Sequence, residues 1–304
     1  MLVGVDASPA SIAAVELAAD EAAARVTPLV IVHVYAGPIR RPTGACAPEW
    51  VDPMAVQRRL LEGAVAGVRA EHPGLAVSGE LLSGDPAGVL AGRSLEACLL
   101  VLGHRRRCGL SMASVATSVP VRVHVPVIVH RPLDRHRKSA TDPRPVIVGV
   151  NGEEGAESVV EFAFLEASLR GAPLTALLAW SQPAGAIPAG VHPDVCGFAE
   201  ARAEAERMLA ETLAGWSEKY PEVPVRRIVR HTLDASMTLT EASRSAQLVV
   251  VGSPRKRGLS RLLLGSVSQA LTDHAGCPVA VVPVTERTFD TAPRPGSSDD
   301  LYGR

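Results

Sequence analysis

The chain has 304 residues, of which 47% are hydrophobic and 21% charged, and its formal net charge is −1. That length suits two domains of about 100–150 residues each, and the near-neutral charge argues against a general electrostatic attraction to nucleic acid or membrane. Aromatic residues make up only 3%, so the cores are expected to be aliphatic, built from Ala, Val and Leu.

The cysteines (Cys46, Cys98, Cys108, Cys196 and Cys277) are odd in number and form no CxxC pair. Cys98 lies in an apolar run and Cys277 just before one, so both are expected as buried free thiols in a reducing compartment. No apolar run approaches the length of a membrane span, and Met1-Leu2-Val3-Gly4-Val5-Asp6 opens directly as a strand without a signal peptide. A cytoplasmic location is expected.

In chain order, β-branched apolar runs near 2–5, 28–34, 75–82, 98–103 and 126–130 read as strands. Helical patterns near 9–24, 52–71 and 85–96 separate them, and Ser8 followed by Pro9 is a fitting cap and first-turn pair. A polar, proline-flanked stretch at 132–144 reads as a linker. The series then starts again: strands near 145–150, 173–180, 223–230, 247–252 and 278–283, helices near 155–170, 197–219, 234–245 and 265–275, with Gly171 where a helix C-cap belongs. The Pro/Gly-rich segments 36–51 and 181–196 follow the second strand of each series and read as flaps or plain surface loops. The last stretch, 285–304, lacks apolar periodicity and is expected to be disordered.

The second series is a repeat of the first. Leu2-Val3-Gly4-Val5-Asp6 is answered by Val146-Ile147-Val148-Gly149-Val150-Asn151. Val101-Leu102-Gly103-His104 is answered by Val250-Val251-Gly252-Ser253, and Gly109-Leu110-Ser111 by Gly258-Leu259-Ser260. Val125-Pro126-Val127 is answered by Cys277-Pro278-Val279. Strands of Val, Ile and Leu alternating with helices imply a parallel sheet covered on both faces. Two domains follow, at 1–131 and 145–284.

In such sheets ligands sit beyond the carboxyl ends of the strands, where the strand order reverses. The second repeat offers a phosphate loop there. Its fourth strand ends at Gly252 and runs through Arg255, Lys256 and Arg257 to Gly265-Ser266-Val267-Ser268, which opens a helix. A glycine lets backbone amides approach an anion, and a Gly-Ser at a helix start presents free N–H groups and a hydroxyl to it. His33 reads as a satisfied core histidine rather than a base, and His274 suits the end of a helix. No HExxH, GxSxG, GxxxxGK[ST] or Cys/His ligand cluster appears, so the residues point to binding and not to an enzyme.

These features resemble the universal stress protein family, in the tandem-domain form common in actinobacteria. The resemblance covers nearly all of 1–283 and implies two Rossmann-like domains of the adenine nucleotide alpha hydrolase type, each a five-stranded, mostly parallel α/β sheet with helices on both faces. The family's ATP-binding members carry Gly-x2-Gly-x9-Gly-Ser/Thr. Here Gly252, Arg255 in place of the second glycine, and Gly265-Ser266 fall at that spacing. The same members hold adenine with an Asp after the first strand and the backbone of a Val after the second. Asp6 and Val34 match in the first repeat, and Asn151 and Ala179 stand there in the second. Asp6 and Asn151 serve equally well as caps of the helices that follow. In the first repeat Gly103 is kept, but Arg106 replaces the second glycine and Ala116-Thr117 replaces Gly-Ser. Pro120 and three fewer residues before Pro126 leave its last helix short or missing.

The resemblance thus implies ATP, with Mg as its counter-ion, held chiefly in the second repeat for a regulatory role in a stress response. The alternative is a nucleotide-free member acting as an interaction or dimerisation module. The resemblance also implies pairing of the fifth strands, 126–130 and 278–282, as a pseudo-dimer within the chain or as a homodimer. Nucleic acid and membrane are not expected as partners.

Overall fold

The computed structural model describes residues 1–35, 37, 53–104, 115–130, 144–152, 155–180, 198–254 and 264–284. The linker, both Pro/Gly-rich segments, both basic runs with Arg255 and Arg106, and the C-terminal stretch lie outside the described residues, apart from Gly37, Arg144 and single flanking positions.

The first repeat runs β1 (Leu2–Val5), α1 (Pro9–Ala24), β2 (Leu29–Tyr35), α2 (Pro53–Glu71), β3 (Val77–Ser83), α3 (Pro86–Arg93), β4 (Leu100–Gly103), α4 (Val115–Ser118) and β5 (Val127–His130). The second runs β6 (Val146–Val150), α5 (Ala156–Leu169), β7 (Leu174–Trp180), α6 (Phe198–Thr212), α7 (Trp216–Lys219), β8 (Val225–His231), α8 (Ala235–Ser243), β9 (Leu248–Pro254), α9 (Ser266–His274) and β10 (Val279–Val284). Each expected element is found within a few residues of its expected bounds. The helix expected over 197–219 is instead two, divided at Gly215, whose φ of +79° suits glycine and interrupts the helical ladder.

Local chemistry explains the helix starts. Ser8 Oγ accepts from the Ser11 N–H at 3.2 Å with Pro9 at the first helical position, and Asp85 Oδ2 accepts from the Gly88 N–H at 2.8 Å ahead of Pro86. Gly171 follows α5 with φ of +58°, the left-handed stop expected there.

All ten strands form one sheet, in the order β3-β2-β1-β4-β5-β10-β9-β6-β7-β8. Pairing is parallel within each repeat. The repeats join through antiparallel β5 and β10, in register Val279↔Val129, Ala280↔Ile128 and Val281↔Val127. That junction covers what would otherwise be two apolar edges.

One face of the sheet carries a single apolar core that runs through both repeats and includes α1, α2, α5 and α6 residues such as Val15, Leu61, Phe164 and Leu209. The other face carries two separate cores, one under α3 and α4 and one under α8 and α9. Across the shared face, Glu21 and Arg25 of α1 meet Glu166 and Arg170 at the end of α5. Arg25 bonds both Glu21 and Glu166, and Arg170 bonds both Glu166 and Glu21. The four side chains are 18% exposed or less. Burial, then the nearby Glu21 charge, holds the Glu166 carboxyl above the usual carboxylate range.

The thiols divide. Cys277 is buried and its thiol is pushed up to about 12 by that burial, but Cys98 is exposed. The apolar run around Cys98 is a strand only from Leu100 onward, so Cys98 falls in the exposed turn after the Ser94–Glu96 3-10 segment. Among the described residues, no helix is long and apolar enough to cross a membrane.

Candidate nucleotide site

The strand order places a reversal between β1 and β4 in the first repeat and between β6 and β9 in the second. The carboxyl ends of these strands carry Asp6 and Gly103 in one repeat and Asn151 and Gly252 in the other. Val34 and Ala179 lie one strand further out, paired with Leu82 and Arg230. So the sequence-expected residues on the described chain do gather at the two crevices, but the crevices differ.

In the first repeat the connection from β1 to α1 is only residues 6–8. It is wound tightly. The Asp6 carboxylate accepts from the Ser8 N–H at 3.0 Å and the Ser8 hydroxyl at 2.5 Å, and the Asp6 N–H donates to Ser11 Oγ at 3.2 Å. Ala7 takes a left-handed φ of +64°, which costs a non-glycine residue about 1 kcal/mol. The start of α1 is thereby drawn down onto Gly103: a Cβ at Gly103 would stand 2.5 Å from the Ala10 carbonyl oxygen and 2.7 Å from the Ser11 nitrogen. The room that a glycine leaves at this strand end is filled by helix backbone. The short connection was the signal in the sequence for it.

The first crevice differs further in its last helix. Helix α4 is only the four residues Val115–Ser118, ended before Pro120, and its Ala116 is 1% exposed. His33 is buried with Nδ1 2.7 Å from the Val5 carbonyl oxygen, so it is the satisfied core histidine expected.

In the second repeat the connection is residues 151–155, two longer, with Gly152 and Gly155 at positive φ of 70° and 88°. Helix α5 starts further back. Among the described residues, a Cβ at Gly252 would meet only side-chain methyls, of Val284 at 2.9 Å and Val159 at 3.2 Å. Helix α9 is nine residues long and begins at Ser266 with Gly265 as its cap, and among the described residues no side chain caps it. Its first turn is tied to the strand end, because the Ser268 hydroxyl donates to the Gly252 carbonyl at 2.9 Å. Ser268 is 2% exposed and Ser266 is exposed. The first-turn N–H groups of α9 therefore stand near the end of β9, at the positive end of the helix dipole. Asn151 is exposed at the end of β6. Among the described residues no group of three or more His, Cys, Asp or Glu side chains could hold a metal ion.

Comparison with known proteins agrees with this architecture. The family model described as the universal stress protein family matches twice, at residues 1–131 and 143–283. A universal stress protein of Mycolicibacterium smegmatis is 37% identical over 292 residues, covering 93% of this chain and 96% of the relative. One of Mycobacterium tuberculosis is 38% identical over 294 residues, covering 92% of this chain and 96% of the relative. Among solved structures, a universal stress protein from Archaeoglobus fulgidus superposes with a TM-score of 0.65 at 19% identity, over 94% of this chain and 98% of that one. With two family matches, one in each repeat, the chain belongs to the universal stress protein family.

Proposed function

We propose that the protein binds an adenine nucleotide, ATP, at the crevice between β6 and β9, and that this binding regulates its conformation or partners without turnover. The observation that carries the reading is the nine-residue α9, without a side-chain cap among the described residues, held beside the strand end at Gly252, against a four-residue α4 and a filled strand end at Gly103. Gly252, Gly265, Ser266 and Val267 would face the phosphates, with Ser268 holding the first turn of α9 to the strand end and Arg255 of the connecting loop adding charge. Asn151 and the backbone of Ala179 would face the base. The residue types fit: amides and hydroxyls for an anion, a neutral amide side chain for adenine. The two family domains would act as one cytoplasmic unit, its halves joined along β5 and β10.

The test is to purify the protein natively and identify co-released nucleotide by mass spectrometry, then to measure melting with millimolar ATP. Binding at a hundredfold excess over Kd stabilises the fold by about 2.7 kcal/mol. Gly265→Glu combined with Ser266→Ala is expected to remove the bound nucleotide and the rise in melting temperature together. No nucleotide in the wild type and no rise with ATP would leave the family's fold as an interaction module without a ligand. Stoichiometric ATP retained by the variant would put the site elsewhere.

A further inference from the structure

At the outer edge of the second repeat, away from the crevice between β6 and β9, a groove of about 740 Å³ lies between α6 and β8. Strand β8 reads Val225-Arg226-Arg227-Ile228-Val229-Arg230-His231 and ends the sheet, so one side of its backbone meets no further strand among the described residues. Val225 and Val229 pack into the core under α6, and Ile228 packs on the opposite face. By the two-residue period of a strand, Arg227 stands on the α6 face and Arg226 and Arg230 on the other. The three arginines straddle the edge. All are exposed, and none makes an ion pair or hydrogen bond among the described residues. At one end of the groove Trp180, Phe198 and His231 form a ring cluster with centroids 4.7–5.3 Å apart, and Phe198 is 41% exposed.

The first repeat shows how the same place looks when closed. The strand register puts Gly79 of β3 where β8 has Arg227. A Cβ at Gly79 would stand 3.0 Å from Leu61 and 3.0 Å from Val65, so α2 lies directly on its strand. The positions matching Arg226 and Arg230 are Ser78 and Leu82. Charge on an edge strand does guard against aggregation. That role needs neither an open groove nor an aromatic cluster at its end.

We infer that this groove is a docking site for an acidic, extended peptide segment of a partner protein, which adds to the free edge of β8. A seven-residue strand spans about 20 Å, which suits an extended chain better than a compact small molecule. The edge backbone would supply the ladder hydrogen bonds, the arginines would pair with Asp or Glu on alternate faces, and the aromatic cluster would receive one apolar side chain.

The probe is a fluorescent peptide about seven residues long, rich in Asp and Glu with a terminal Phe, followed by anisotropy against the full chain. Binding is expected at low salt, weakening as salt rises from about 0.05 to 0.5 M. Replacing Arg226, Arg227 and Arg230 by the first repeat's Ser, Gly and Leu is expected to weaken binding by about tenfold or more. Arg226→Glu alone, a surface change that leaves the groove's shape intact, is expected to act in the same direction. A peptide of equal charge with proline at alternate positions is expected to lose binding, because it cannot join the ladder. The inference is overturned if the peptide does not bind, if either arginine variant or the proline peptide binds as well as its parent, or if a single-stranded oligonucleotide of equal charge binds more tightly. Occupancy of the nucleotide crevice does not enter any of these readouts.

Discussion

In the first repeat the chain leaves β1 at Val5 and enters α1 at Pro9, whereas in the second it leaves β6 at Val150 and enters α5 at Ala156. Two extra residues separate a strand end covered by helix backbone from one bordered, among the described residues, by valine methyls. The last helices differ in the same sense, four residues in α4 and nine in α9. Where the repeats meet each other they hardly differ at all. Glu21 and Arg25 of one face Glu166 and Arg170 of the other, in a reciprocal arrangement with two-fold character. Duplication thus leaves the interface constrained by both copies at once, while each crevice is constrained by its own copy alone.

Breaking the charged square at either end tests the claim of equivalence and is expected to have the largest effect. Arg25→Ala and Arg170→Ala each leave the two buried carboxylates sharing a single arginine, an uncompensated buried charge that costs about 3–5 kcal/mol. Urea unfolding of both variants checks this, and a cost confined to one would show that the square is not shared. The Glu166 carboxyl adds a pH signature. Its native pKa is raised, so the folded chain holds that proton more tightly than the unfolded chain does. This stabilising contribution is full below the ordinary value of 4.5 and is lost as pH rises through the raised native value. Against Glu166→Gln, which has no such group, the wild type is expected to lose stability as pH increases. A relative gain would contradict the burial argument.

The two strand-end glycines sharpen the contrast between the crevices. Gly103→Ala forces a methyl against the fixed backbone of Ala10 and Ser11 and is expected to cost about 2–3 kcal/mol. Gly252→Ala meets methyl groups that can turn aside, and is expected to cost about 1 kcal/mol. The order of the two costs, read from denaturant midpoints, is the decisive quantity. Equal costs would mean that α1 does not rest on Gly103 as described.

Much of this was readable in the residues alone. Strand and helix positions followed from apolar periodicity and from caps such as Ser8-Pro9, and the short α4 followed from Pro120 and the missing residues before Pro126. Cys98 misled because an apolar run does not say where its strand begins, and the turn before Leu100 exposes the thiol. The covering of Gly103 was missed because a glycine at a strand end is compatible with a ligand or with a helix backbone in the same space. Only the length of the preceding connection distinguishes them, and its consequence depends on packing between α1 and β4. The groove beside β8 escaped for a related reason. Its aromatic cluster joins Trp180, Phe198 and His231, which are neighbours in space and not along the chain.

The smallest expected effect concerns the tie between α9 and the end of β9. Ser268 corresponds to Val119 of the first repeat, counting from Gly265-Ser266 and Ala116-Thr117. Val119 is fully buried in the core under α3 and α4. Ser268→Ala removes the hydroxyl without adding the bulk that valine has at this position of the first repeat, and loses the 2.9 Å hydrogen bond to the Gly252 carbonyl. A neutral hydrogen bond of this kind is worth about 1 kcal/mol, and the carbonyl is left to find another donor. A loss of that size in urea unfolding, with nucleotide binding weakened more than stability, would show that the tie positions the first turn of α9 for its ligand. A loss of stability with binding unchanged would make Ser268 a packing residue only, and would leave Gly252, Gly265 and Ser266 to define the second crevice.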